Sequence, residues 1–324
     1  MKIALYGSIA WRHPLGLGRA IEWAAGFGWD FVDARGLSID VPGPIAQRTN
    51  AFGYDMLGPR QIDRRARHEL KQRLQDAGTP LLGIYSSSSA NLPGQMGDEY
   101  RQLLTEYVQL AADLDCPWVR PINNTTATHG ADPHRDHMPQ EEAYDRTIVA
   151  LTELARTAKD LGVGLLLENN ENTVSSDAES LLRAQRDLDG ACRIGLVYDP
   201  VNAYFQGHDP VEGLTMLAGE IEILHLKNVR RHQHTRWDYI PRGDYGYEWT
   251  ALSDGDLNWQ AIIAQAAAAG FDGPLVFEYV NPFKGMPTSY WDSLRDPEAA
   301  AQEEAEFLRQ LTLLQPNNEE PHGL

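Results

Sequence analysis

The fold class this sequence predicts is a (β/α)8 barrel. Short apolar runs alternate with longer amphipathic stretches along the whole chain, and eight such pairs fit 324 residues. Four apolar runs in the second half each stop at an ionisable residue. Strands alternating with helices imply parallel pairing through right-handed crossovers. A doubly wound open sheet shares that alternation, but no glycine fingerprint follows the first run, where GSIAWRHPLG stands.

The elements follow in order. Ile3 to Tyr6 is a short apolar run bounded by Lys2 and Gly7, so a strand; Leu17 to Phe27 has helical length and spacing. Phe31 to Asp33 is the second strand, followed by a Pro- and Gly-rich loop over 36–59 and a charged helix from Gln61 to Ala77. Pro80 to Tyr85 is the third strand and runs into Ser86 to Ser89; a helix spans Glu99 to Leu114. Trp118 to Ile122 is the fourth strand, followed by a polar loop over 123–139 and a helix from Glu141 to Leu161. Gly164 to Leu167 has the continuous apolar character of a strand buried on both faces. Helix Ala178 to Leu188, strand Ile194 to Tyr198, short helix Val211 to Leu217 and strand Ile221 to Leu226 come next. A loop over 229–256, helix Trp259 to Ala269, strand Pro274 to Phe277 and helix Ala299 to Leu314 complete the chain. No linker or composition shift divides it, so residues 1–314 are expected to form one barrel domain with a polar tail over 315–324.

Composition narrows the function classes. Hydrophobic residues are 42% and charged residues 23%, an ordinary globular balance. The formal net charge of -18 repels phosphate backbones, so nucleic acid is not an expected partner. Cys116 and Cys192 make neither a disulfide framework nor a zinc cluster. MKIALYGSIA is cut short as a signal peptide by Trp11 and Arg12, and no apolar run reaches the ~20 residues that span a bilayer. The expected location is the cytoplasm, with no membrane partner and a homo-oligomer left open.

Chemistry concentrates at the strand ends. LLLEN ends at Glu168, GLVYDP at Asp199, ILHLKN at His225 and LVFEY at Glu278. In a parallel barrel the C-terminal strand ends converge on one mouth. Three carboxylates brought together there repel unless a cation or protons neutralise them. Three oxygen donors and one imidazole suit a divalent ion, manganese first, with magnesium, cobalt or zinc as alternatives.

These segments, together with HLKNVRR, DGDLNW and GFDGPLVFEY, resemble the sugar phosphate isomerase/epimerase family, a xylose isomerase-like TIM barrel. The resemblance covers most of the chain and is strongest from Gly164 to Phe283. It implies that Glu168, Asp199, His225 and Glu278 hold one metal. It also implies that Glu168 and Glu278 exchange a proton with a carbon beside a carbonyl, one removing it and the other returning it. The expected substrate is a small carbohydrate, a keto-sugar or related polyol. The chain departs from many relatives at Asn170 and Asn202, where they carry histidine. An amide cannot relay a proton at neutral pH. That argues against the related C-glycoside-cleaving subunits. Ser86, Asn123 and Asn202 in place of histidines argue against the DNA-repair endonuclease branch. Loss of a leaving group from a 3-keto-glycoside, giving a dehydratase or lyase, stays open, as does a non-catalytic sugar-binding barrel.

Other residues are expected around the substrate. Trp11 can stack on a sugar face, and Arg12 lies beside it. Arg35 and Arg120 lie near strand ends and can bind oxygen-rich groups. Asn170 and Asn202 can hydrogen-bond hydroxyls. Lys227 shares a strand face with His225, and Arg231 follows in the next loop. His129, His134 and His137 are read as solvated loop residues. The aromatic run from Trp237 to Trp249 is either a lid over the mouth or an interface.

Overall fold

The computed structural model describes residues 1–10, 13–36, 56–123, 138–171, 173–233, 245–279 and 294–313. Eight strands form the barrel: β1 (Ile3–Tyr6), β2 (Phe31–Gly36), β3 (Leu81–Ser89), β4 (Trp118–Ile122), β5 (Gly164–Glu168), β6 (Ile194–Tyr198), β7 (Ile221–Leu226) and β8 (Leu275–Phe277). Every neighbouring pair is parallel, and the sheet closes because β1 pairs with both β2 and β8. Ile3 lies opposite Leu275, and Ala4 opposite Phe31.

Nine helices accompany the strands among the described residues: α1 (Leu17–Phe27), α2 (Arg64–Ala77), α3 (Gly94–Asp113), α4 (Gln140–Asp160), α5 (Ala178–Asp187), α6 (Pro200–Phe205), α7 (Pro210–Met216), α8 (Trp259–Ala268) and α9 (Pro297–Leu313). Their starts are chemically marked. Asp63 accepts the Ala66 N–H at 2.8 Å, Asn258 accepts the Ala261 N–H at 3.1 Å, and Asp177 and Ser180 form a reciprocal box. None of the described helices is long and apolar enough to cross a membrane.

Strand alternation sorts the side chains into two layers. Leu5, Val32, Ile84, Val119, Leu165, Leu196, Leu224 and Leu275 face outward, into the main core shared with the helices. Ala4, Tyr6, Leu82, Tyr85, Trp118, Leu166, Val197, Ile223 and Val276 form a second cluster inside the barrel. On β3 the register shifts, with the four residues from Leu81 to Ile84 set against the three from Val32 to Ala34. This bulge turns Tyr85 inward, and bulges of this kind re-aim side chains near sites.

Several elements differ from expectation at their edges. β3 takes in all four serines, and α3 starts at Gly94 rather than Glu99. The loop expected over 229–256 contains a hairpin of Asn228–Gln233 and Tyr245–Thr250. α6 begins directly after Asp199, because Asp followed by Pro supplies a cap and a preset first turn. The stretch 37–55 and the tail from 315 lie outside the described residues, as do His129, His134 and His137.

The barrel floor depends on two missing side chains. A Cβ on Gly164 would sit 2.2 Å from Cζ3 of Trp118, and one on Gly195 2.9 Å from its Cη2. The indole therefore fills the space that glycine leaves on β5 and β6. Gly164→Ala is expected to lower stability in urea unfolding by roughly 1–3 kcal/mol through overpacking. Gly26→Ala is the control: its Cβ meets nothing within 4 Å, and it should be neutral or stabilising. Equal midpoints for the two variants would contradict the packing role of Gly164.

Candidate metal centre

Two residues beyond the apolar interior tier, each strand turns polar. Trp118 leads to Arg120, Leu166 to Glu168, Val197 to Asp199, Ile223 to His225 and Val276 to Glu278. Phe31 leads likewise to Asp33 and then Arg35, and His225 to Lys227. Period two thus carries one inward column from packing into chemistry.

Glu168, Asp199 and His225 converge. Each offers a ligand atom, and these atoms lie within 4.8 Å of one another among the described residues. His225 Nδ1 stands 3.1 Å from Glu168 Oε1, yet neither ring nitrogen of His225 has an aligned hydrogen-bond partner among the described residues. Asp199 Oδ1 accepts the N–H groups of Val201 at 2.9 Å and Asn202 at 3.1 Å, so the N-terminus of α6 fixes the carboxylate. Asp199 Oδ2 is 2.8 Å from Lys227 Nζ, an ion pair outside hydrogen-bond alignment that leaves Oδ2 without a hydrogen-bond partner among the described residues. Two carboxylates and an imidazole, with buried atoms unmet, fit a divalent cation. Glu278 stands at the edge of this group. Its Oε2 accepts a hydrogen bond from Lys227 Nζ at 3.0 Å, and its own N–H donates to Leu226 O at 2.8 Å.

Two resident cations balance the carboxylates. Arg120 donates through one guanidinium nitrogen to Glu168 Oε2 and lies 4.9 Å over the Tyr85 ring. Burial would raise the Glu168 pKa, but Arg120 and then His225 outweigh it and hold the group well below the usual carboxylate range. Burial raises Asp199, helped by the charges of Glu168 and Glu278 and opposed by Lys227. Burial works against charge on Lys227, yet Asp199, Glu278 and Glu168 keep it firmly protonated. Burial would lower His225, and the carboxylates around it raise it instead, Glu168 first. The cage is short of positive charge at its centre. Asp33, on β2, is pushed up to about 7 by burial, against the opposing pull of His225 and Tyr85.

Several expected substrate contacts are already engaged. Arg120 and Lys227 serve the carboxylates. Asn202 Nδ2 donates to Asn169 O at 2.8 Å. Asn170 is half-buried, and its carbonyl accepts from Thr173 Oγ1 at 2.6 Å. Arg35 is half-buried on β2, close enough for its charge to act on Tyr6. Arg231 is exposed on the hairpin, where its N–H donates to Asp256 Oδ2 at 2.9 Å. Trp11 and Arg12 lie outside the described residues, as do 237–244 of the aromatic run. The described part of that run is packed against α6: Phe205 lies 4.8 Å from Tyr247 and 5.8 Å from Trp249.

Sequence reasoning missed two asparagines. Asn169 clamps Asp199 at both backbone groups, donating to its O at 2.9 Å and accepting its N–H at 2.7 Å. Asn228 donates to Leu252 O at 2.8 Å and Leu257 O at 3.0 Å, and accepts the N–H of Val229 and Leu257. Gly255 packs so close that a Cβ there would lie 2.2 Å from the Asn228 amide. The only local signal for Asn169 was its place directly after a strand-end glutamate.

The chain belongs to the xylose isomerase-like TIM barrel family, whose match runs over residues 21–311. It is 23% identical over 240 residues to inosose dehydratase of Geobacillus kaustophilus (strain HTA426), covering 69% of this chain and 74% of that protein. In fold it is similar to D-psicose 3-epimerase solved in the presence of D-fructose. There the TM-score is 0.70 and the identity 14%, covering 96% of this chain and 99% of that one. It is also similar to the IOLI protein solved with a zinc atom, with TM-score 0.67, 16% identity and 97% of each chain covered.

Two predictions follow from this geometry. A carboxylate held below its usual pKa contributes stability above that value and loses it as pH falls. Arg120→Met weakens the hold on Glu168, so the acid-unfolding midpoint followed by circular dichroism should move to higher pH. At pH 7 the buried carboxylate, stripped of the cation that acts on it most strongly, should cost roughly 3–5 kcal/mol. An unmoved midpoint would contradict the pairing. Asn169→Ala orphans the Asp199 N–H, at roughly 1–3 kcal/mol, while the Asp199 C=O keeps the Ala203 N–H at 3.3 Å. Urea unfolding measures that loss, and a change below experimental error would remove Asn169 from the site's support.

Proposed function

We propose that this chain is a divalent-metal-dependent isomerase or epimerase of a keto-sugar or related polyol, moving a proton beside a carbonyl through an enediolate. The observation that carries the reading is the convergence of Glu168, Asp199 and His225, ligand atoms within 4.8 Å, with Glu278 joined to Asp199 through the one ammonium of Lys227. In this reading those four residues hold the ion. Manganese comes first for an oxygen-rich set, with magnesium, cobalt and zinc as alternatives. When bound, such an ion supplies Lewis acidity toward a carbonyl oxygen and the negative charge that develops there.

The chain's own residues do the rest. Arg120 occupies Glu168 Oε2 and keeps the carboxylate ionised, leaving Oε1 on the His225 side as the atom that takes a proton. Lys227 holds Glu278 ionised in the same way, so Glu278 serves as the second proton acceptor and donor. Asn169 and the start of α6 hold Asp199 in place as a ligand. Tyr6, Tyr85 and Trp118 close the barrel beneath the site and keep water out from that side. Arg35, Asn170, Arg231 and Trp11 are assigned to the substrate's hydroxyls and ring. Arg120, Lys227 and Asn202 act on it through the groups they already hold.

A second reading is a dehydratase or lyase, including one acting on a 3-keto-glycoside. The similarity to inosose dehydratase over 74% of that protein favours it. So does the Lys227 ammonium 3.0 Å from Glu278, a hydrogen-bond donor and positive charge for a departing oxygen.

Calorimetric titration with each of the four metals should give one ion per chain, and His225→Ala should weaken it more than about 100-fold, beyond what outer partners cost. Keto-sugars and cyclic polyol ketones incubated in D2O should gain deuterium at the carbon beside the carbonyl. Glu278→Gln should slow that exchange roughly 10²–10⁴-fold. Loss of water or release of an aglycone in the same incubations selects the second reading. A chain that binds none of the four metals defeats both.

A further inference from the structure

Hydrogen bonds alone do not fix two groups of the metal centre. Arg120 reaches Glu168 Oε2 through one guanidinium nitrogen, and its Nε has no hydrogen-bond partner among the described residues. His225 faces Glu168 Oε1 with Nδ1 at 3.1 Å, yet neither ring nitrogen has an aligned partner there. A guanidinium held at one point can swing about that bond, whereas a two-point fork cannot. An imidazole without an aligned bond has no polar partner to set its tilt. Packing therefore has to place both groups.

One side chain touches both. The Arg120 guanidinium carbon lies 4.9 Å over the Tyr85 ring, and the His225 ring lies 5.0 Å from it at an interplanar angle of 37°. The contacts close a cycle from Glu168 to Arg120, Arg120 to Tyr85, Tyr85 to His225, and His225 back to Glu168. An aromatic face attracts a cation, more strongly where water is excluded, and Tyr85 is only 1% exposed.

The Tyr85 ring is itself wedged in place. Tyr6 meets it edge-on, with 5.5 Å between centroids and 83° between planes. Gly83 leaves room beside it, since a Cβ there would stand 3.0 Å from Tyr85 Cε2. The Tyr85 hydroxyl acts on Asp33, which is not one of the four proposed ligands, and has no aligned acceptor among the described residues. What Tyr85 offers to Arg120 and His225 is its ring.

We infer that Tyr85 is the positioning residue of the metal centre: its ring sets the spacing and tilt at which Arg120 and His225 meet the two oxygens of Glu168. The inference rests on the metal reading above for its purpose, but its first readout needs no metal. Partners one layer outside the ligands are the groups that orient them.

The test uses the full chain as wild type, Tyr85→Leu, Tyr85→Phe and Gly83→Ala, each checked for folding by circular dichroism. Metal-free crystal structures read the positions of Arg120 and His225, and calorimetry reads Mn2+ affinity. In Tyr85→Leu the guanidinium should leave Glu168 or the imidazole should turn, and Mn2+ should bind about 10–100-fold more weakly. Tyr85→Phe keeps the ring and should restore both the positions and the wild-type affinity. Gly83→Ala keeps the tyrosine but crowds its ring, and should weaken Mn2+ binding in the same direction.

Arg120 and His225 both unmoved in Tyr85→Leu overturns the inference. So does Tyr85→Phe binding as weakly as Tyr85→Leu, which would transfer the role to the hydroxyl. If Tyr85→Leu does not fold, a displaced ring in Gly83→Ala with Mn2+ affinity unchanged has the same consequence. If the wild type binds no metal, the proposed function fails while the metal-free structures still decide the role of Tyr85.

Discussion

Closing a parallel sheet on itself forces every second side chain inward, and that constraint governs this molecule. The inward column of each strand has apolar side chains or glycine at the bottom and polar ones at the top. Below, Trp118 packs over Gly164 and Gly195. Above, Arg120, Glu168, Asp199, His225 and Glu278 arrive together from five consecutive strands. Their charges cannot avoid one another, and little water reaches them to screen the repulsion.

The structure answers that repulsion with fixed partners. Arg120 takes Glu168, and Lys227 stands between Asp199 and Glu278. Arg120 and Lys227 hold Glu168 and Glu278 ionised where burial alone would protonate them, while Asp199 stays raised against the pull of Lys227. Three carboxylates against two permanent cations leave one negative charge and an imidazole at the centre, a suitable place for a divalent ion. The supports reach outward from there. α6 begins on Asp199, Asn169 ties that aspartate to β5, and the Tyr247–Trp249 hairpin packs on Phe205 of the same helix.

Much of the site was legible because a strand-end ionisable residue is a local signal. An apolar run that stops at Glu, Asp or His can be read without knowing its neighbours, and the parallel topology supplies the convergence. The pairings were not legible. Arg120 and Lys227 looked like substrate contacts because a strand-end cation carries the same local signal whether it meets a ligand or a carboxylate. Asn202 looked available for a hydroxyl, and its amide is spent on Asn169. Asp33 was read as the end of a strand, whereas β2 runs on to Gly36 and the aspartate is an interior position.

By itself the sequence determined the alternation of strands and helices, the direction of pairing, and four polar residues at the ends of β5 to β8. These follow from side-chain period and run length, which are properties of short segments. Only the tertiary structure decided which charge neutralises which, where the β3 bulge turns Tyr85, and that three of the four strand-end residues form the tight cluster while Glu278 is held at its edge by Lys227. Those outcomes depend on distances between neighbouring strands, among residues 28 to 51 positions apart in the chain. Burial makes such contacts strong and leaves no local pattern in the sequence to announce them.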